Sequence, residues 1–441
     1  MAKNTPASNP TVKLILTIVI TLIIGLTGGL LVNKYFNILD RNSQPQAQTN
    51  SENKYAAFLS EVKTVISDNY WQQMPEEQLV ELFVLATEKT TGQQLGANID
   101  TFAAYEQELT AIIDQIDSAE KKEEAAAQIA DMALANLQPP ARSRLYSKQK
   151  KQELADRVTN KETEQDHYQA LEVEETAEQQ EIDQAYQQKK QNLEQQDTPE
   201  AKQELQQVEK AYQTLKDEDN RERYNEQGVN PTMNWELVTP EIFHLQIKKF
   251  SPTTVQELAE VTSKVDQGSQ LDTLILDLRD NVGGAIDGLP YFLGPFIGNN
   301  QYAYQFIQQG KTKDFKTKTG WLPSMKRYKK IVILINENTQ SSGEVMASVL
   351  KKYNVGPLVG TTTKGWGTIE RVYPLENQLS DNQEYSVFLV HHLTLRADGT
   401  PIQSNGVEPT ISVESTGWEQ DLQRYFDNPV LVEEVKKLFS S

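Results

Sequence analysis

Apolar residues recur every three to four positions from about residue 54 to 158, with Phe58, Val62, Val65 and Ile66 as the clearest run, and this spacing predicts helices. The pattern breaks at Leu137-Gln138-Pro139-Pro140-Ala141-Arg142-Ser143, because tandem prolines cannot continue a helix. Residues 159–230 are much more polar yet still helical in period. One helix centres on Ile182, Ala185, Tyr186 and Leu193, the next on Leu205, Val208, Ala211, Tyr212 and Leu215. From Trp235 onward the period changes. Short β-rich runs at 243–247, 271–278, 331–335, 358–361 and 385–395 alternate with helical patterns, which predicts a mixed α/β domain.

The N-terminus carries a different signal. Residues 14–32, from Leu14 at one end to Val32 at the other, are 19 residues without a charge. At about 1.5 Å per residue they match the roughly 30 Å hydrocarbon core of a bilayer. Tyr35 and Phe36 follow as interfacial aromatics, and no small-x-small exit is apparent, so an uncleaved single-pass anchor is expected. Lys3, Lys13 and the free amine stand before the span, and Lys34, Asp40 and Arg41 after it. This bias predicts a cell-membrane protein with the bulk of the chain extracytoplasmic. The expected organisation is a tip and transmembrane anchor (1–36), a polar linker (37–54), a helical region (55–158), a second helical module (159–230) and an α/β core (231–441).

Composition narrows the function. A formal charge of −19 argues against nucleic acid as a partner. The absence of cysteine excludes disulfides, thiol nucleophiles and thiolate metal sites, and four scattered histidines form no ligand cluster, so neither metal nor cofactor is expected.

The chemistry concentrates at two turns. Strand 331–335 leads through Asn336-Glu337-Asn338-Thr339-Gln340-Ser341-Ser342-Gly343-Glu344 into an apolar helix, placing Ser341 on a strand-to-helix turn where its hydroxyl can stand clear of the backbone. Ser-x-x-Glu before an apolar run is also a capping box, with Ser341 as N-cap and Glu344 at N3. The second turn, Leu276-Asp277-Leu278-Arg279-Asp280-Asn281-Val282-Gly283-Gly284, ends a buried strand on paired glycines that let the backbone approach a ligand.

These segments, with Phe250-Ser251-Pro252 (a helix start capped by Ser251) and Asp398-Gly399-Thr400-Pro401-Ile402-Gln403-Ser404-Asn405-Gly406-Val407-Glu408-Pro409, resemble the carboxyl-terminal processing (tail-specific) serine proteases over about 235–413. The resemblance implies a ClpP/crotonase-like α/β core and acyl-enzyme chemistry on polypeptides. It further implies Ser341 as nucleophile and Gly283, Gly284 and the Ser342 amide as oxyanion donors. The family's general base lies in Phe-Gly-Lys-Gly-Thr-Val-Gln. Here Lys364-Gly365-Trp366-Gly367-Thr368-Ile369-Glu370 stands in its place, putting Trp366 on the lysine and Glu370 on the glutamine that orients it. An indole N–H is donor-only and cannot take the serine proton. Lys364, about 6.6 Å away on the same face of an extended segment, is the substitute base, and Glu370 is its orienter, a base in its own right or a partner for Lys364. His244, His391 and His392 fall on strands and read as packed or solvent-facing. The working expectation is a membrane-anchored serine endopeptidase; the alternative is a silent pseudoprotease that binds peptides or scaffolds a complex. Partners are polypeptides and the membrane, with self-association left open.

The polar module, from Asp166-His167-Tyr168 to Arg221-Glu222-Arg223-Tyr224, resembles a J domain. The His-Pro-Asp through which that family stimulates DnaK-type chaperones is absent, its place held by Glu194-Gln195-Gln196. The resemblance therefore implies the helical hairpin and not the chaperone activity. The PDZ domain usual in the protease family has no counterpart in the sequence, and the J-like module occupies its position.

Overall fold

Tertiary burial follows the apolar spacing closely. The computed structural model describes residues 54–96, 99–161, 166–265 and 270–440. Four helices, α1 (Lys54–Asn69), α2 (Glu76–Thr91), α3 (Phe102–Asp114) and α4 (Ala119–Ala135), bury the stripe Phe58, Val62 and Ile66 against Leu79, Phe83, Leu109 and Ile129. The diproline turn then delivers a short strand, β1 (Arg144–Ser147), and a surface helix, α5 (Lys148–Thr159). The J-like module follows as α6 (His167–Leu171), α7 (Gln179–Glu194), α8 (Pro199–Leu215) and α9 (Glu218–Gln227). Its long helices pack through Ile182, Leu193, Val208 and Ala211, with the Tyr186 and Tyr212 rings stacked at 3.9 Å.

The α/β part runs β2 (Met233–Leu237), β3 (Ile242–Ile247), α10 (Thr254–Lys264), β4 (Thr273–Asp277), α11 (Leu289–Ile297), β5 (Tyr302–Gln308), β6 (Lys311–Lys316), β7 (Lys330–Ile335) and α12 (Ser342–Lys352). It continues with β8 (Leu358–Gly360), β9 (Thr368–Pro374), β10 (Tyr385–Leu395), β11 (Ile411–Ser412), α13 (Trp418–Phe426) and α14 (Pro429–Ser440). One sheet has the order β11-β8-β7-β4-β3-β2, parallel except for the edge strand β2. Its central strands are buried on both faces, which accounts for the continuous apolar runs. Phe243, Leu274, Leu276, Ile333 and Ile335 face α10, α11 and α12, whereas Ile275, Val332 and Leu334 face Trp418, Leu422, Leu431 and Val435 of α13 and α14.

The second sheet has the order β1-β10-β5-β6, with β9 also paired to β10. Arg144 to Ser147 align with Phe388 to Tyr385, and Val387, Leu389 and Val390 join the core of α1 to α4. The N-terminal region thus joins the α/β part in a sheet through β1 and in an apolar core through α1 to α4. Helix α10 starts at Thr254, not at Pro252: Ser251 donates its N–H to Thr254 Oγ1 in the preceding turn.

Among the described residues no helix is long and apolar enough to cross a membrane. The longest, α4 and α8, have 17 residues and carry charges throughout, against the roughly 20 apolar residues a span needs. This corrects the expectations of a transmembrane fold element, a membrane-anchored enzyme, a membrane partner and a single-pass, extracytoplasmic location. Residues 14–32, on which they rested, and linker positions 37–53 lie outside the described residues.

Candidate active site

Strands β4 and β7 are neighbours, and both critical turns leave their carboxyl ends, where open parallel sheets place their ligand crevices. After β7 the chain turns sharply. Ser341 has φ 55 and ψ −124, a conformation an L-residue adopts only under constraint from its surroundings. The capping box holds it there, Ser341 donating its N–H to Glu344 Oε2 at 2.9 Å.

Glu344, with no exposed surface, does more than cap. Its Oε1 accepts the Thr363 hydroxyl at 2.6 Å and the Gly365 N–H at 2.7 Å, and its Oε2 also accepts the Trp366 N–H at 2.8 Å. One carboxylate therefore fixes the serine turn to the 363–366 loop. Burial pushes the carboxyl above the ordinary value despite four hydrogen bonds that favour the ion.

The glycine pair lies against the serine. A Cβ on Gly283 would come within 2.6 Å of Ser341 Cβ, and one on Gly284 within 2.0 Å of the Phe250 carbonyl oxygen, so no side chain fits at either position. Ser342 Oγ donates to the Gly284 carbonyl at 3.0 Å and joins the two turns. The amides differ. Gly283 donates its N–H to Asn281 Oδ1 at 2.8 Å, and Asn281 in turn donates to the Ile247 carbonyl at 2.8 Å. Among the described residues the Gly284 and Ser342 N–H groups have no acceptor, and both residues line the cleft with Ser341. The cleft, about 180 Å³, has apolar walls from Ile286, Val345, Ile369 and Phe388, and from Leu154 and Val158 on α5.

Trp366 stands on the cleft's rim at 39% exposure, with two cations over its ring. The Arg142 guanidinium lies 4.5 Å from its ring centroid and Lys364 Nζ 4.0 Å. Lys364 is on the indole and is not among the cleft-lining residues. Glu370 lines the cleft but is paired with Arg142 at 2.6 Å and accepts the Thr368 hydroxyl at 2.7 Å. Arg142 also donates to Thr368 Oγ1 at 2.8 Å.

The structure thus brings together Ser341, Ser342, Gly284, Trp366 and Glu370, keeps Gly283 adjacent with its amide engaged, and leaves Lys364 outside. Sequence reasoning missed Arg142 and Asn281. Arg142 sits 228 positions from Glu370, on a turn read only for its prolines. Asn281 stood inside the glycine motif, where a buried polar residue before paired glycines was the available signal.

The histidines lie elsewhere. Burial lowers the pKa of His244, but hydrogen bonds to Asp277 (3.2 Å) and Glu236 (3.1 Å) more than reverse this and raise it to about 8. Burial holds His391 below the ordinary value and His392 at about 3. None lines the cleft.

A strained serine at the end of a parallel strand, beside paired glycines and two unpartnered amides, defines a domain of the serine-protease type. The particular family follows from comparison. Residues 241–413 match the model of Peptidase family S41, and residues 166–225, set ahead of them, match that of the DnaJ domain. The carboxy-terminal processing protease CtpA of Bacillus subtilis (strain 168) is 28% identical over 183 residues, 42% of this chain and 37% of that protein. A probable CtpA-like serine protease of Staphylococcus epidermidis is 31% identical over 185 residues, 42% and 36% respectively. The chain therefore spans little more than a third of the length of these relatives. Among solved structures, a lipoprotein from Streptococcus agalactiae is 13% identical, with 87% of this chain and 99% of that chain covered at a TM-score of 0.43.

Proposed function

We propose that residues 241–413 bind polypeptide as a serine-peptidase domain in which the nucleophile and oxyanion donors are kept and the general base is not. Ser341 is the nucleophile in this reading, and a bound carbonyl oxygen takes the Gly284 and Ser342 N–H groups. The apolar walls receive the adjoining side chain. Hydrolysis requires the Ser341 proton to leave as Oγ attacks the carbonyl carbon and the amide C–N bond later breaks. Among the described residues that line the cleft there is no lysine or histidine to take that proton. Trp366 Nε1 only donates, and Glu370, the carboxylate on the wall, has its Oε1 engaged by Arg142 and the Thr368 hydroxyl, which leaves Oε2 as its remaining acceptor.

The observation that supports this reading is Trp366, which the resemblance aligns with the family's lysine and whose ring has the Arg142 guanidinium and the Lys364 ammonium over it. Proteases stripped of such groups retain roughly 10³–10⁴-fold acceleration over water from binding and the oxyanion hole. One observation favours full endopeptidase activity: the strained backbone of Ser341, which a site without chemistry has no need to keep. In that second reading Lys364 leaves the indole on substrate binding and Glu370 orients it. Fluorescence anisotropy of labelled apolar peptides decides between occupancy and none. The expected result is binding by the parent that survives Ser341→Ala and is lost in Val345→Asp. Absence of binding by the parent would refute the proposal.

A further inference from the structure

The DnaJ-like region is a closed excursion from the rest of the chain. Lys161 bridges Val229, and Asn160 exchanges hydrogen bonds with Asn230 at 3.1 and 2.9 Å, so the segment leaves and returns at one point. It then presses on α10. Arg223, 8% exposed, pairs with Glu260 at 2.7 Å, while Asp217 and Asp219 hold Lys264 at 2.7 and 2.8 Å. On the return segment, Thr232 donates its N–H and hydroxyl to Glu257 Oε2 at 2.7 and 3.0 Å.

Glu257 is 1% exposed and has a second client. Its Oε1 accepts the Thr253 hydroxyl at 2.6 Å in the turn that opens α10. That turn continues through Ser251, whose Oγ lies 2.9 Å from Thr253 Oγ1, to Phe250. Phe250 brackets the second glycine: its N–H donates to the Gly283 carbonyl and its carbonyl accepts the Ala285 N–H, both at 2.8 Å. With its neighbours bonded on either side, Gly284 has its amide direction set by where Phe250 stands.

We propose that the DnaJ-like region is an intramolecular brace for the oxyanion loop, with Glu257 as the positioning residue that transmits its docking to Gly284. The inference rests on the reading of Gly284 as an oxyanion donor and assigns this region a role other than recruiting a chaperone. Glu257 touches no substrate; it acts through the Thr253 turn.

The test needs no turnover. A peptide aldehyde and the same peptide as its amide are titrated against the full chain. The aldehyde adds Ser341 Oγ to its carbonyl carbon, the π pair moves to oxygen and the hydroxyl proton passes to that oxygen through solvent, so only its affinity reports the oxyanion geometry. In Glu257→Gln, and independently in Glu260→Gln at the half-exposed rim, the aldehyde-to-amide affinity ratio should fall about tenfold or more. Amide affinity should stay within about twofold and the thermal midpoint within a few degrees, which a merely structural defect would not allow. An unchanged ratio in both variants overturns the brace. If the parent fails to bind the amide, the reading of the cleft falls first and takes this inference with it.

Discussion

Replacing Glu344 tests whether one carboxylate holds the serine turn and the Trp366 loop together. In Glu344→Ala four donors lose their acceptor. The Gly365 N–H is orphaned in a buried position, the Ser341 and Trp366 amides sit on partly exposed residues, and Thr363 keeps one bond by accepting the Val407 N–H. A buried orphan costs about 1–3 kcal/mol and each of the three remaining lost bonds about 0.5–1.5, so a loss of roughly 2.5–7.5 kcal/mol is expected. Glu344→Gln separates the causes. If relief from burying charge dominated, the neutral isostere would stabilise. If the donors dominate, as the geometry requires, an amide NH₂ facing N–H donors leaves half of them unmet, for a loss of about 2–4 kcal/mol. Urea unfolding followed by tryptophan fluorescence should show a midpoint lower by about 1 M or more in both variants. A Gln variant as stable as the parent would refute the hub.

Three other predictions follow from separate parts of the molecule. With His244 raised from 6.5 to about 8, its contribution is full below about pH 6.5 and is lost as pH rises through 8. This amounts to about 2 kcal/mol, and the alkaline fall in thermal midpoint should flatten in His244→Gln, whereas an unchanged profile would exclude His244 as its source. Trp366→Lys supplies a proton acceptor on the cleft rim and should raise peptide hydrolysis about 10²-fold or more, with no gain pointing to a defect beyond the base. Without His-Pro-Asp between α7 and α8, the purified chain should not stimulate ATP hydrolysis by a DnaK-type chaperone; stimulation above background would contradict this.

The readable parts of the sequence were those whose cause is local. The runs at 331–335 and 271–278 are continuous apolar strands because both faces of β7 and β4 are covered, and the turns after them carry their own chemistry in Ser341 and the glycine pair. Strand β6 was not legible because it is an exposed edge dominated by Lys311, Lys313, Asp314 and Lys316, charges that keep an edge from pairing further. Strand β1 was hidden because four residues after a diproline turn gain their meaning only from β10. The same non-locality hid Arg142. Tandem prolines announce a turn, but nothing in them says that it ends on the indole of Trp366 and the carboxylate of Glu370. The resting position of Lys364 was hidden for a similar reason. Extended spacing put it near Trp366, and the indole face then drew the ammonium onto itself.

Single-turnover hydrolysis of a bound apolar peptide, with the chain in excess over peptide, tests the central claim most directly. Binding without a working base predicts cleavage of the occupied peptide no faster than about 10³–10⁴ times the uncatalysed rate. Cleavage on the order of 1 s⁻¹, a typical enzyme rate, and its abolition in Ser341→Ala, would contradict the account and establish a base that the arrangement of Arg142, Trp366 and Lys364 conceals.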